Sequence, residues 1–282
     1  MNGSFTYTWE EAVQWLREQP EQSELVKYCY YDDPLEAAAE RFFQSEEWTE
    51  VISLLKSKSS GQVLDVGAGR GISSYAFAKS GYSVTALEPN PSKLVGAGAI
   101  HHLANNSGLS IKVQQDWGET LPFADNTFDI VYGRAVLHHA HDLKQLCKEA
   151  ARVLKPNGLF IATREHIISQ KEDLQQFLDS HPLHNLYGGE NAYLLEEYIQ
   201  AINLSGLKIL KTFAPLQSVI NYFPATKLQM QELVTPVLTR RLGNTIGVNL
   251  AKLKFLQDLY IWYISRKLNG AGRLYSFLAV KP

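Results

Sequence analysis

Val63-Leu64-Asp65-Val66-Gly67-Ala68-Gly69-Arg70-Gly71, with Glu88 seventeen residues further on, is the stretch whose reading decides the fold. Apolar residues around a single acid, then glycines at every second position, describe a strand running into a tight turn before a helix. Glycine has no Cβ, so such a turn lets a ligand lie against bare backbone. Glu88 ends the next predicted strand, Tyr82 to Leu87, where an acid can accept two hydrogen bonds from a ribose diol. These features predict a ligand that contains a nucleoside.

The spacing selects among such ligands. A dinucleotide fingerprint places glycines at relative positions one, three and six. Here they fall at one, three and five, and Ile72 holds the sixth. Asp65, two residues before the first glycine, would repel a pyrophosphate but suits a ligand bearing an ammonium or sulfonium charge. The pattern resembles motif I of the class I S-adenosylmethionine-dependent methyltransferases, in which the acid orders the glycine loop near the aminocarboxypropyl end of the cofactor. Leu121 to Asp129 and the Arg-Val-Leu-Lys-Pro-Asn-Gly-Leu run at 152–159 resemble further segments of that family, in its order and spacing. The similarity spans about residues 61 to 166 and is of the small-molecule kind, similar to the type 11 group.

From residue 61 strands and helices alternate, the signature of a parallel sheet with crossover helices. The predicted strands are Gln62–Val66, Tyr82–Leu87, Ile111–Gln115, Phe128–Tyr132, Leu159–Thr163, Leu207–Ala214 and Arg273–Val280. Predicted helices cover Ile72–Lys79, stopped by Gly81, and Asp142–Leu154. The resemblance implies an α/β, Rossmann-like, doubly wound sheet of seven strands with the last antiparallel. Residues 1–60 read as an amino-terminal helical cap, with helices over Trp9–Arg17 and Pro34–Leu55. Residues 61–214 form the cofactor-binding core, 215–272 a helical insertion between strands six and seven, and 273–282 the final strand. Within the insertion, Phe255 to Ile264 is apolar nearly all round, which predicts a buried helix.

Composition bounds the remaining classes. The chain of 282 residues is 45% hydrophobic and 20% charged, with a net charge of −2. Cys29 and Cys147 lie far apart without a CxxC spacing, which argues against a disulfide framework or a zinc site, and no metal is expected. Met1 to Phe5 carries no basic segment or apolar core, so no signal peptide is expected. No apolar run approaches the roughly 20 residues of a membrane span, and a cytoplasmic protein is the expectation. Residues 215–282 hold nine Lys or Arg against Glu232 and Asp258. That basic segment reads as a solvated surface, or as a peripheral contact with membranes or anionic ligands. A homodimer through the insertion is the other partner expectation. A nucleic-acid acceptor is disfavoured, since Tyr132-Gly133-Arg134-Ala135 follows strand four in place of an Asn-Pro-Pro-Tyr/Phe signature.

The candidate site residues follow. Asp65, Gly67, Ala68, Gly69 and Gly71 form the loop, and Glu88 with Pro89 the ribose edge. By resemblance, Asp116 accepts from the adenine amino group and Trp117 packs on the ring; the alternative for Asp116 is a turn residue. Arg134 pairs with the cofactor carboxylate or a substrate anion, or else forms a surface salt bridge. His138-His139 resemble the family's paired histidines, and Glu165-His166 close strand five, where one of the two acts on the acceptor; the three histidines are the candidate bases. Tyr31, from the Tyr28-Cys29-Tyr30-Tyr31 cluster, lids the ligand or packs the cap. His184, Tyr187, Glu190 and Asn191, in the polar and aromatic run His181–Tyr193, are candidates for an acceptor pocket or a helix-capping loop. The reading is a methyltransferase for a small or medium organic acceptor, with O- or N-methylation. The alternatives are a non-catalytic S-adenosylmethionine-binding partner protein and an NAD(P)-dependent oxidoreductase.

Overall fold

The computed structural model describes residues 7–58 and 60–282, without the side chains of Gln231 and Arg266. The stretch Met1–Phe5, weighed above as a signal peptide, lies outside the described residues.

The cap comprises α1 (Trp9–Arg17), α2 (Ser23–Tyr28), α3 (Leu35–Phe43) and α4 (Glu46–Leu54). Thr8 caps α1 in a reciprocal box with Glu11. The single helix predicted over Pro34–Leu55 is two helices: Ser45 leaves helical geometry and its Oγ accepts from the Trp48 amide at 3.0 Å, starting α4 afresh. The core continues with β1 (Gln62–Val66), α5 (Ile72–Lys79), β2 (Ser83–Leu87), α6 (Ala97–Ser107), β3 (Ile111–Gln114), β4 (Phe128–Arg134), α7 (Leu143–Val153) and β5 (Leu154–Ile168). Then follow α8 (Asp173–Ser180), α9 (His184–Tyr187), β6 (Tyr193–Leu194), α10 (Leu195–Leu204) and β7 (Lys208–Phe213). The segment before the last strand folds as α11 (Val219–Tyr222), α12 (Lys227–Leu242), α13 (Asn244–Ala251) and α14 (Lys254–Lys267), and β8 (Arg273–Val280) closes the sheet.

The sheet order is β3-β2-β1-β4-β5-β8-β7. The first five of these strands run parallel, and β8 lies antiparallel between β5 and β7. This is the doubly wound Rossmann-like α/β fold. An eighth strand, the two-residue β6, pairs parallel with the end of β5 and has no sequence signal of its own. β5 is also longer than the predicted Leu159–Thr163, because its second half finds partners in β8 and β6. The central strands are buried on both faces and so read as continuous apolar runs; in β1 only Asp65 interrupts Val63, Leu64 and Val66.

Two large cores flank the sheet. One packs α7 and α10 against it through residues such as Leu146, Phe160 and Tyr198, and the other packs α3, α4 and α5 through Phe42, Trp48 and Phe77. A third, smaller cluster joins Leu16 and Val26 of the cap to Leu183. The helix α14 departs from expectation: Phe255 is 65% exposed and Leu259 56%, with Trp262 and Tyr263 also exposed. It packs against α12 and α13 and, through Ser265 Oγ, accepts from the Leu216 amide at 3.1 Å, burying Gln257 and Ser265 while much of its apolar girth stays exposed. No described helix is long and apolar enough to cross a membrane.

Candidate active site

The strand order reverses between β1 and β4, and a cavity of about 510 Å³ opens there, at the carboxyl ends of the strands. The turn after β1 forms its floor. Gly67, Gly69 and Gly71 have φ of +60°, +55° and +83°, in the left-handed region that glycine tolerates. A Cβ on Gly67 would lie 2.7 Å from Cγ2 of Val136, whereas one on Gly69 would meet nothing within 4 Å and project into open space. Gly67, Ala68 and Gly69 line the cavity; Gly71 does not, and serves the turn by donating its N–H to the Ala68 carbonyl at 2.8 Å.

Asp65 and Glu88 hold this loop from either side. Burial pushes the Asp65 carboxyl up to about 7, against the Ser74 hydroxyl that donates to Oδ2 at 2.6 Å. Glu88 accepts from the Gly69 amide at 2.8 Å through Oε2 and from the Asn90 amide at 3.0 Å through Oε1. Its burial raises its pKa against those two donors. Pro89, Asp116 and Trp117 line the same end, with Trp117 58% exposed and its amide donating to Asp116 Oδ1 at 2.9 Å.

Arg134, at the end of β4, faces the cavity, yet two of its nitrogens are committed. Nε and Nη2 donate to Glu47 Oε1 and Oε2 at 2.8 and 3.0 Å. Glu47, in the first turn of α4, is fully buried, so this pair is an internal tie between cap and core and not a surface bridge. Burial works against the Arg134 charge, and the Glu47 carboxylate more than restores it. A second buried guanidinium, Arg164, donates to the carbonyls of Ile220 and Phe223 at 2.8 and 3.0 Å, joining the start of the insertion to the site. Among the described residues, five other than glycine have positive φ, and three of them, Tyr30, Ala135 and Arg164, line the cavity. Backbone strain of this kind concentrates where a site over-determines its residues.

The far end of the cavity gathers His138, His139, His166, His181, Tyr187 and Glu190. His138 Nδ1 donates to Glu165 Oε2 at 2.8 Å, and Glu165 also accepts from the amides of Val136 and His138 at 3.1 Å each. His139 Nδ1 donates to the Gly189 carbonyl at 2.9 Å, and His166 Nδ1 to that of Gly272 at 3.1 Å. Burial drives the pKa of His138 well below the imidazole range, with His139 and His181 adding to the effect, and pushes His166 down to about 3. Both are therefore neutral. Glu190 accepts from the Tyr187 hydroxyl at 2.9 Å; its pKa is lowered because the neighbouring His139, His181 and His138 outweigh its burial. Among the described residues, two sets have donor atoms within 4.8 Å of one another, His138–His139–Glu190 and His166–His181–Glu190.

The roof comes from the cap. Tyr31 lines the cavity, 5.6 Å between ring centres from Trp9, which in turn packs 4.7 Å from Tyr187. His184 and Asn191 do not line the cavity; His184 sits on α9, and Asn191 precedes β6. Arg164 was missing from the sequence-based candidates; its only signal is its place in the second half of β5, next to Glu165 and His166.

Residues 64–162 match the model of the methyltransferase domain family. An uncharacterised methyltransferase, YcgJ of Bacillus subtilis, is 30% identical over 138 residues, which is 49% of this chain and 53% of that protein. The ubiquinone biosynthesis O-methyltransferase of Rhizobium leguminosarum is 36% identical over 103 residues, 36% of this chain and 40% of that one. The chain thus spans about half, or less, of the curated relatives it matches. Among solved structures, geranyl diphosphate C-methyltransferase from Streptomyces coelicolor, in complex with Mg2+, geranyl diphosphate and S-adenosyl-L-homocysteine, aligns with a TM-score of 0.59. The identity is 12%, over 99% of this chain and 100% of that one. The [4+2]-cyclase SpnF aligns with a TM-score of 0.56 at 18% identity, over 84% and 80% of the two chains. At such identities the likeness is one of fold.

Proposed function

We propose that the chain, whose residues 64–162 match the methyltransferase domain family, is a class I S-adenosylmethionine-dependent methyltransferase acting on an oxygen or nitrogen of a small organic acceptor. One observation carries this reading. A single cavity runs from the glycine turn, Glu88 and Asp116 to the cluster of His138, His139, Tyr187 and Glu190. It is therefore large enough, and polar at both ends, for two ligands to meet.

The residues present suit the cofactor. Gly69 leaves open space where any Cβ would intrude, and Asp65 places a buried carboxyl beneath the turn. Gly67, Ala68 and Gly69 would cradle it, Glu88 would take the ribose hydroxyls, and Asp116 with Trp117 would take the adenine. When bound, S-adenosylmethionine supplies a methyl group already activated on a sulfonium sulfur. Positioning and exclusion of water then do most of the work left to the protein. Trp9, Tyr31 and Tyr187 cover the far end of the cavity and would exclude water there. His138, with Nδ1 on Glu165, has an Nε2 lone pair that can accept a hydrogen bond from a hydroxyl acceptor and orient it, though its burial makes it a weak base. Outside the cavity, exposed Phe255 and Trp262 with Lys252, Lys254 and Lys267 support a peripheral contact of the insertion with anionic membrane.

Calorimetric titration with S-adenosylmethionine, S-adenosylhomocysteine and NADH tests the reading, with Gly69→Val and Glu88→Ala alongside. Binding of both sulfur ligands, lost in the two variants, is expected, followed by release of S-adenosylhomocysteine in an acceptor screen. Binding of NADH alone would sink the proposal. Cofactor binding with no turnover across a broad acceptor panel would favour the non-catalytic alternative.

A further inference from the structure

The imidazoles at the far end of the cavity are oriented more tightly than proton transfer requires. A carbonyl oxygen can only accept, so the His139 Nδ1 facing Gly189 carries the hydrogen, and its Nε2 presents a lone pair. His138 has the same tautomer, because its Nδ1 faces a Glu165 carboxylate already held by two backbone N–H groups. The two Nε2 atoms point at one atom, Glu190 Oε2, from 3.8 and 3.9 Å. Those separations are beyond hydrogen-bond reach. Three electron-pair donors thus surround one point inside the molecule, where His138 and Glu190 are buried and His139 half-exposed.

A cation resolves this arrangement. Metal–ligand bonds of about 2.0–2.2 Å in tetrahedral geometry put neighbouring donor atoms about 3.4 Å apart, so each Nε2 need approach Glu190 by only about 0.5 Å, and all three donor atoms already lie within 4.8 Å of one another. Each imidazole is also backed, on its other nitrogen, by a carboxylate or a carbonyl, the support that metal-bound histidines characteristically have. Two imidazoles and a carboxylate suit zinc and its neighbours better than magnesium or calcium, which prefer all-oxygen sites.

We propose that His138, His139 and Glu190 bind a divalent cation of the zinc class, with an open coordination position facing the cavity. Neighbouring His166 and His181 offer further donors to the same carboxylate. A cation here would hold an anionic or hydroxyl-bearing ligand by an oxygen. The site needs the cavity but does not depend on methyl transfer, and with the cation bound the Nε2 lone pair of His138 is a ligand and no longer faces the acceptor's hydrogen.

The test uses the full chain, stripped with chelator and titrated calorimetrically with ZnCl2, with metal content measured by mass spectrometry after dialysis. One zinc per chain is expected. His139→Ala, at a half-exposed position, and Glu190→Gln, an isostere, should each weaken binding by about 100-fold or more, while circular dichroism stays native. Glu165→Gln should weaken it by about 10–100-fold through the orientation of His138. His101→Ala, on the exposed face of α6, should leave it unchanged. No zinc bound by the unsubstituted chain, or equal binding in His139→Ala and Glu190→Gln, overturns the proposal. S-adenosylmethionine binding to the unsubstituted chain, measured separately, distinguishes that failure from failure of the methyltransferase reading.

Discussion

Replacing Arg134 with Met should destabilise the protein far more than a change at a cavity wall would. Glu47 is fully buried and receives two charge-assisted hydrogen bonds from this one side chain, at 2.8 and 3.0 Å. Removing one partner of a buried pair leaves an uncompensated charge, at a cost of about 3–5 kcal/mol. In a chain of this size that lowers the melting temperature by about 10 °C. Glu47→Gln should cost more than Arg134→Met. Glu47 is a counter-charge for Arg164 as well as Arg134, so its loss leaves two guanidinium groups in one buried region. The double variant Arg134→Met/Glu47→Leu removes both members of the pair and should recover much of the loss, since apolar replacement of a whole pair is often neutral. Urea unfolding followed by circular dichroism measures all three. A single variant within about 1 kcal/mol of the parent, or a double variant no better than either single, would refute the argument; the threshold is the upper end of an exposed pair.

Other perturbations separate the loop's roles. Asp65 has a folded pKa raised to about 7, so it favours the folded state while protonated and ceases to do so as pH rises through that value. The stability of the parent relative to Asp65→Asn should therefore fall by about 2–3 kcal/mol between pH 5 and pH 8. A flat difference in denaturant unfolding across that range would show the carboxyl to be ionised throughout. Gly67→Ala drives a Cβ against Val136 and should be partly rescued by Val136→Ala, whereas Gly69→Ala meets no atom. Its strain should cost about 1–2 kcal/mol, and its main effect should be on cofactor binding in calorimetry. If the two variants lose stability equally and both keep the ligand, the turn does not cradle it. The insertion should sediment with phosphatidylserine vesicles at low salt. Lys252→Gln/Lys254→Gln should weaken that by about 30-fold, at about 1 kcal/mol per lysine. Absence of the parent from the pellet removes membrane contact from the reading.

The central strands β1 and β4 were legible because they are buried on both faces, and β1, α5 and β8 have the bounds read from sequence. What failed to show was set by contacts distant in the chain. The pairing that lengthens β5 depends on β8, and β6 exists only because β5 reaches it. The break at Ser45 had a local signal, a serine ahead of two glutamates, overridden by the apolar period on either side. In the site, the glycine turn and Glu88 are local and were found, whereas the partner of Arg134 lies 87 residues upstream. No periodicity relates residues 138, 166, 181 and 190; the fold brings them together at strand ends. The exposed faces of α14 show the limit of hydropathy, which measures what a helix would bury but not whether anything is present to cover it.

The roof of the cavity has a mechanical independence from the sheet below it. Trp9 and Tyr187 meet in the small cluster around Leu16, Val26 and Leu183, apart from both large cores, and beside them a single backbone hydrogen bond of 3.3 Å joins Tyr7 to Leu186. A ring pair of this kind is worth about 0.5–1.5 kcal/mol beyond its buried area. Parting α1 from α9 therefore costs a small fraction of what unfolding a strand would, and it leaves the glycine turn and the Arg134–Glu47 tie intact. Of the walls around the cavity described above, this aromatic seam can part while the sheet and its ties stay closed.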